Sequence, residues 1–158
     1  MTARLIQWII GGVALLLYAR VGYFAFASLG PQLGCALGPE IRFWGYGADV
    51  FAHCFDPVPE NMMMDYEAVL LGWDRLLALA LAAFLALWSI RAGIWIGVGA
   101  AVGYGLSDWF ENDYLVSALA GDTAAIGMAS LLTTSKFACL ALTIGAHLWA
   151  ARHNRSDI

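Results

Sequence analysis

The sequence predicts an all-α fold: a bundle of four transmembrane helices with both termini cytoplasmic and a long extracytoplasmic loop between the first and second helices. Three observations lead there. The chain of 158 residues is 61% hydrophobic and only 13% charged, with a mean hydropathy of +0.72, whereas soluble domains carry about 25% charged residues. Four stretches approach or exceed the roughly 20 apolar residues that a helix needs to cross ~30 Å of hydrocarbon. Runs such as Leu76 to Leu87 lack the polar–apolar alternation of a membrane barrel, and in lipid the remaining way to satisfy the backbone is a helix. The composition excludes a soluble globular domain and a disordered tail. It also excludes a nucleic-acid binder, because Lys and Arg number 8 against 12 Asp and Glu and form no basic cluster. A single integral membrane domain, 1–158, is expected.

The first span is read at about 5–29. Within it, Ala25-Phe26-Ala27 has the form of a signal-peptidase site, and cleavage there would leave three spans. The apolar run is longer than the ~7–15 residues of a secretory signal core, and Arg20 stands close to the cut, so a retained helix is expected. The segment at about 30–65 is longer than structureless connections usually are. It holds Ile41, Phe43, Trp44, Tyr46, Val50, Phe51 and Phe55 between Pro39 and Pro57, which points to a folded cap bearing a short helix. Cys35 and Cys54 both fall in it. In an oxidising compartment they suit a disulfide that stabilises the loop by about 3 kcal/mol; two separate thiols or a redox pair are the alternatives. The run Met62-Met63-Met64 is expected to cover the bundle mouth or touch the membrane surface.

The second, third and fourth spans are read at about 69–90, 92–110 and 126–150. Gly93, Gly97, Ala101 and Gly105 recur every four residues of the third. Small residues at this spacing let helix backbones approach closely. They fit either close packing within the bundle or a face for homo-oligomerisation or for docking to another membrane protein. Trp8, Trp88 and Trp149 mark one edge of the bilayer, and Trp73 and Trp109 the other.

Orientation follows from the basic residues. Arg4, Arg91, Arg152 and Arg155 flank the spans on one side, while Glu40, Asp49, Asp56, Glu60, Asp65, Glu67, Asp113 and Asp122 lie on the other with Arg42. Positive residues favour the cytoplasm. Seven arginines against one lysine fit a GC-rich bacterial source, so the expected location is a bacterial inner membrane.

Six ionisable residues fall inside the predicted spans: Arg20, Asp74, Arg75, Asp108, Glu111 and Lys136. Charge in a membrane helix is costly and needs a partner or a purpose. All six fall in the outer halves of their spans, three of each sign, so a common cluster is expected. Asp108 and Glu111 share a helix face, with Lys136 opposite and with Asn112 and Thr133 completing the network. Such a network either fixes helix register or forms a binding site for a lipid headgroup. Arg20 and Arg75 also have the option of snorkelling to headgroups. On the fourth span, Thr133, Lys136, Thr143 and His147 form a polar stripe that would suit proton or ion conduction.

Asp108-Trp109-Phe110-Glu111-Asn112 and Ser130-Leu131-Leu132-Thr133-Thr134-Ser135-Lys136 carry a D-x-x-E-N and an S-x-x-T-x-x-K pattern. In this the chain resembles a loosely defined group of uncharacterised bacterial four-helix membrane proteins. Asp65-Tyr66-Glu67-Ala68 stands where that group has a short acidic segment, and Gly72-Trp73-Asp74-Arg75 where it has a Gly-Arg step. Trp73 and Asp74 separate the Gly from the Arg, and the second span lacks the acidic residue the group often carries midway. The resemblance implies a shared bundle and charged cluster, and no activity.

Other chemistry finds little footing. Asp49, His53 and Asp56 would share a face only on a helix and fall short of a recognisable zinc pattern. A haem pair is missing, because His147 stands far from Met128. Nucleotide, nucleophile-elbow and zinc-protease motifs are absent. No metal or other cofactor is expected. The leading expectation is a non-catalytic accessory or assembly subunit of a larger membrane complex. The alternatives are a lipid- or isoprenoid-binding protein or enzyme with a charged outer-leaflet pocket, and a conductor of protons or ions.

Overall fold

The computed structural model describes residues 3–35 and 38–153, and every described secondary element is helical. Arg155 and the side chains of Phe26 and Glu40 lie outside the described residues. Six α-helices follow in order: α1 (Ala3–Tyr23), α2 (Ala48–Phe55), α3 (Glu60–Val69), α4 (Arg75–Ala92), α5 (Trp95–Leu119) and α6 (Thr123–His153). α1 continues through a π-helical turn, Phe24–Leu29, and a 3-10 turn, Gly30–Gln32. Another π-helical turn, Leu70–Asp74, joins α3 to α4 without a break. The stretches Ala3–Gln32, Glu60–Ala92 and Thr123–His153 are long and apolar enough to cross a membrane. The third predicted span, now part of α5, is not among them. Its glycines and the Asp108, Glu111 and Asn112 side chains dilute its apolar character, and those three residues are buried.

Neighbouring long helices run antiparallel. Gln7 near the start of α1 accepts a hydrogen bond from Arg91 at the end of α4. α4 turns into α5 at Gly93, whose φ of +72° is the left-handed cap that glycine adopts without strain. The Ile94 N–H returns to the Ser89 carbonyl at 2.9 Å. α5 and α6 make the most extensive pairing and α1 lies along α4. This packing explains the small residues: a Cβ on Gly105 would stand 2.8 Å from Ala82 Cβ, and one on Gly97 would stand 2.6 Å from Ser89 Oγ. Ala101 is fully buried.

Three sequence expectations need correction. Gly93 is not a member of the third helix but the cap that ends the second long one, so the close-packing series begins at Gly97. The second helix begins at Glu60 rather than near 69, because the π-helical turn lets one rod continue from cap to span. The connection expected at 111–125 shrinks to Ala120–Asp122: α5 carries on to Leu119, and Asp122 caps α6 by accepting the Ala124 N–H at 3.0 Å.

At one end the extended helices and the cap share an apolar core. Phe51, Cys54, Phe55, Val58, Tyr66, Leu70, Leu115 and Ile126 are among its buried members. Tyr46, Phe51, Phe55 and Tyr66 form a chain of rings with successive centroids 6.4, 4.9 and 5.5 Å apart. Cys35 and Cys54 are disulfide-bonded, and the Gly34 N–H donates to the Cys54 carbonyl at 2.9 Å. The cap is tied to α6 where the Tyr46 N–H donates to Ser130 Oγ at 2.8 Å. Met62 and Met63 pack against this core, whereas Met64 is exposed. Asp49, His53 and Asp56 are exposed.

Candidate functional site

The buried ionic centre is built by α5 and α6. Asp108 and Glu111, three residues apart on one face of α5, are 3% and 0% exposed. Lys136 of α6 reaches both: its Nζ is 2.8 Å from Asp108 Oδ1 and 2.6 Å from Glu111 Oε2. Thr133, one turn from Lys136, sets its Oγ1 2.5 Å from Glu111 Oε1 and 3.0 Å from the Ala129 carbonyl. A hydroxyl has one proton to give, and the charged, nearer carboxylate is the stronger acceptor. Tyr104, a turn before Asp108, donates from its hydroxyl to Asp108 Oδ2 over a long 3.4 Å.

Asp74 enters from the π-helical turn. Asn112 Nδ2 donates to Asp74 Oδ2 at 2.8 Å and to the Leu70 carbonyl at 3.1 Å. Both acceptors thus belong to the irregular turn, whose altered backbone bonding is held from α5. A π-helical turn inside a longer helix is a local irregularity found most often where a side chain has a task.

A cavity of about 380 Å³ opens beside this centre, between α1, α4, α5 and α6. Val21, Leu77, Leu81, Phe137 and Leu140 give it apolar walls, and Gly38 and Ile41 of the cap roof it. Asp74, Tyr104, Asp108 and Lys136 supply its polar surface. Its volume is in the range of roughly 300–1,000 Å³ usual for small-molecule sites, which combine mostly apolar walls with a few placed polar groups. A sequence reading had no means of finding this space, which depends on where α1 sits. Tyr104 did carry a signal, lying one turn from Asp108 on the same face.

The expected cluster is thus narrower than the sequence suggested. Asp74, Asp108, Glu111, Asn112, Thr133 and Lys136 come together. Arg75 does not join them: it pairs with Asp113, which continues α5 rather than lying in a loop, and stacks over Trp109 at 4.7 Å. Arg20 is exposed and sits over the Trp73 ring at 5.9 Å. The equal tally of three cations and three anions therefore does not hold at the centre. Among the described residues, Lys136 is the cation within ion-pair distance of Asp108 and Glu111, which leaves that set of three with one formal negative charge in excess.

The polar stripe on α6 does face inward: Thr133, Lys136, Thr143 and His147 are all buried. It is not one hydrogen-bonded chain. Thr143 returns its hydroxyl to the Cys139 carbonyl at 3.0 Å, while His147 meets Ser89 Oγ at 3.1 Å and stacks on Trp88 with centroids 3.6 Å apart.

The chain matches no protein-family model, no curated protein and no solved structure in comparisons of sequence and fold.

Proposed function

We propose that this chain is a four-span membrane protein whose capped pocket binds an amphipathic ligand through a cationic amine head. The large exposed apolar side chains support the membrane setting. On α6 they run from Met128 to Trp149, about 32 Å along the axis at ~1.5 Å per residue, close to the ~30 Å of a hydrocarbon core. α5 completes the four spans, with Ile96, Val102, Leu106 and Phe110 exposed on one side and Asp108, Glu111 and Asn112 buried on the other. Arg4, Arg91 and Arg152 stand at the uncapped end, and Asp49, Asp56, Glu60, Asp65 and Asp122 at the capped one. That distribution supports a cytoplasmic side for the termini. The disulfide suits a cap on the oxidising side, and the reading fits a bacterial inner membrane.

The observation that carries the ligand reading is a mostly apolar cavity in which Asp74 and Asp108 stand beside Lys136 and Tyr104. Asp108 gives one oxygen to Lys136 and only a long contact to Tyr104, so it keeps acceptor capacity toward the pocket. The excess negative charge beside it favours a cationic partner, and low local polarity strengthens that preference. Of the Gly93/Gly97/Ala101/Gly105 face, one of several grounds for expecting an accessory subunit, Gly97 and Gly105 lie against Ser89 and Ala82 of α4 within the chain.

Purified protein in phosphatidylcholine nanodiscs tests this by calorimetric titration with hexadecylamine and with hexadecanoate. Hexadecylamine should bind and hexadecanoate should not. Asp108→Asn should weaken the amine about ten- to a hundredfold, because a hydrogen bond to a charged group contributes ~1.5–3 kcal/mol. Equal binding of the two amphiphiles, or an unchanged amine affinity in the variant, would overturn the reading.

A further inference from the structure

Outside the pocket, a second apolar cavity of about 550 Å³ runs between α1 and α4. Tyr18, Leu77 and Leu81 line both cavities, so the two adjoin along a common wall. Trp8 and Phe84 close the far end of the groove, toward the uncapped side of the bundle. Glycine makes the room: a Cβ on Gly11 would stand 2.9 Å from the Phe84 ring, whereas one on Gly12 would meet nothing within 4 Å and project into open space. From Leu77 to Phe84 the groove extends about 10 Å along α4 at ~1.5 Å per residue. Its polar surface is very small, so it offers a ligand shape and little else.

Resting on the amine-binding reading above, we infer that the ligand is a single long-chain amine whose head sits at Asp108 and whose chain leaves past Tyr18 into the α1–α4 groove. Adjacency to the head site across Tyr18, Leu77 and Leu81 selects this occupant over an unrelated helix. A chain anchored by its head at Asp108 and passing Tyr18 meets Leu77 and Leu81 before reaching Trp8. Lipid tails are as apolar as the groove, so transfer from bilayer to groove adds little affinity. The groove instead selects by shape, admitting one slender chain and opening sideways to the membrane, from which the ligand enters without crossing water.

Gly12 lines the groove and a Cβ there meets nothing within 4 Å, so Gly12→Leu adds bulk at the groove without a clash at its Cβ, and leucine favours a helix more than glycine does. In phosphatidylcholine nanodiscs, Gly12→Leu should displace the hexadecylamine chain from the groove, and from Trp8, while leaving butylamine affinity unchanged, since butylamine needs only the head site. Independently, hexadecylamine brominated near its chain end should quench wild-type tryptophan fluorescence, and Trp8→Phe should remove most of the quenching. Trp8 is exposed and Trp8→Phe keeps an aromatic ring, so this comparison decides the matter even if Gly12→Leu folds poorly. If the brominated amine quenches Gly12→Leu as it does wild type, or if quenching survives in Trp8→Phe, the chain route is wrong while the head site stands. If wild type binds neither amine, the head site and the chain route fall together.

Discussion

Removing the ammonium from the ionic centre is the most severe test of how that centre is held. In Lys136→Met the side chain keeps its length and loses its charge. Asp108 and Glu111 then stand on one helix face, almost wholly buried, without the cation that lay 2.8 and 2.6 Å from them. Breaking a buried pair by deleting one partner costs about 3–5 kcal/mol, mainly because the surviving charge is stranded. Here two charges are stranded, so the upper part of that range applies: roughly three to four powers of ten in the unfolding equilibrium constant. The assay is reversible unfolding in mixed micelles, followed by circular dichroism. The triple variant Lys136→Met, Asp108→Asn, Glu111→Gln should recover most of the loss, because neutral groups of similar shape replace a buried ionic set at little net cost. Thr133 and Tyr104 still find amide oxygens to bond. A loss below about 1 kcal/mol in the single variant would refute the reasoning, as would a triple variant no more stable than the single one.

Three further outcomes follow from the same geometry. Gly105→Leu should destabilise by about 1–3 kcal/mol through overpacking against Ala82, while Gly99→Leu, which meets nothing within 4 Å, should stay within ~0.5 kcal/mol; equal unfolding midpoints would count against the α4–α5 contact. Asn112→Ala removes the donor shared by Asp74 and the Leu70 carbonyl and should cost about 1–3 kcal/mol, read in the same micelle assay. Cys54→Ser opens a loop closed over a separation of 19 residues and should cost about 3 kcal/mol. Dithiothreitol should bring wild type to the variant's midpoint and leave the variant unmoved.

The parts of this molecule legible in the sequence are those fixed by local pattern. Hydropathy locates the long helices, and the three-residue spacing of Asp108 and Glu111 places both on the face that meets Lys136. Cys35 and Cys54 are paired as their shared segment suggested. Helix ends were less legible. Asp113 reads as a loop residue because hydropathy stops at Phe110, yet α5 continues since its outer turns bury Leu115 and Ala118 against the cap. Charge counting failed for a geometric reason: Arg75 follows Asp74 directly, and adjacent helical residues diverge by about 100°. One turns to α5's Asn112 and the other to Asp113 and Trp109. The pocket and its groove arise from the placement of α1, which no local pattern encodes.

The π-helical turn at Leu70–Asp74 does something for the molecule as a mechanical part. Two segments of one rod obey different angular demands: Tyr66 and Val69 must point into the lid's interior, and Leu77 and Ala78 into the bundle. An uninterrupted α-helix would advance about 100° per residue through both, and its phase could suit only one of them. The wider turn absorbs the difference like a vernier, so lid and span are each correctly aimed along a single unbroken rod. Deleting Gly72 would tighten that turn and twist the lid relative to the span, so the roof and floor of the pocket could no longer face each other.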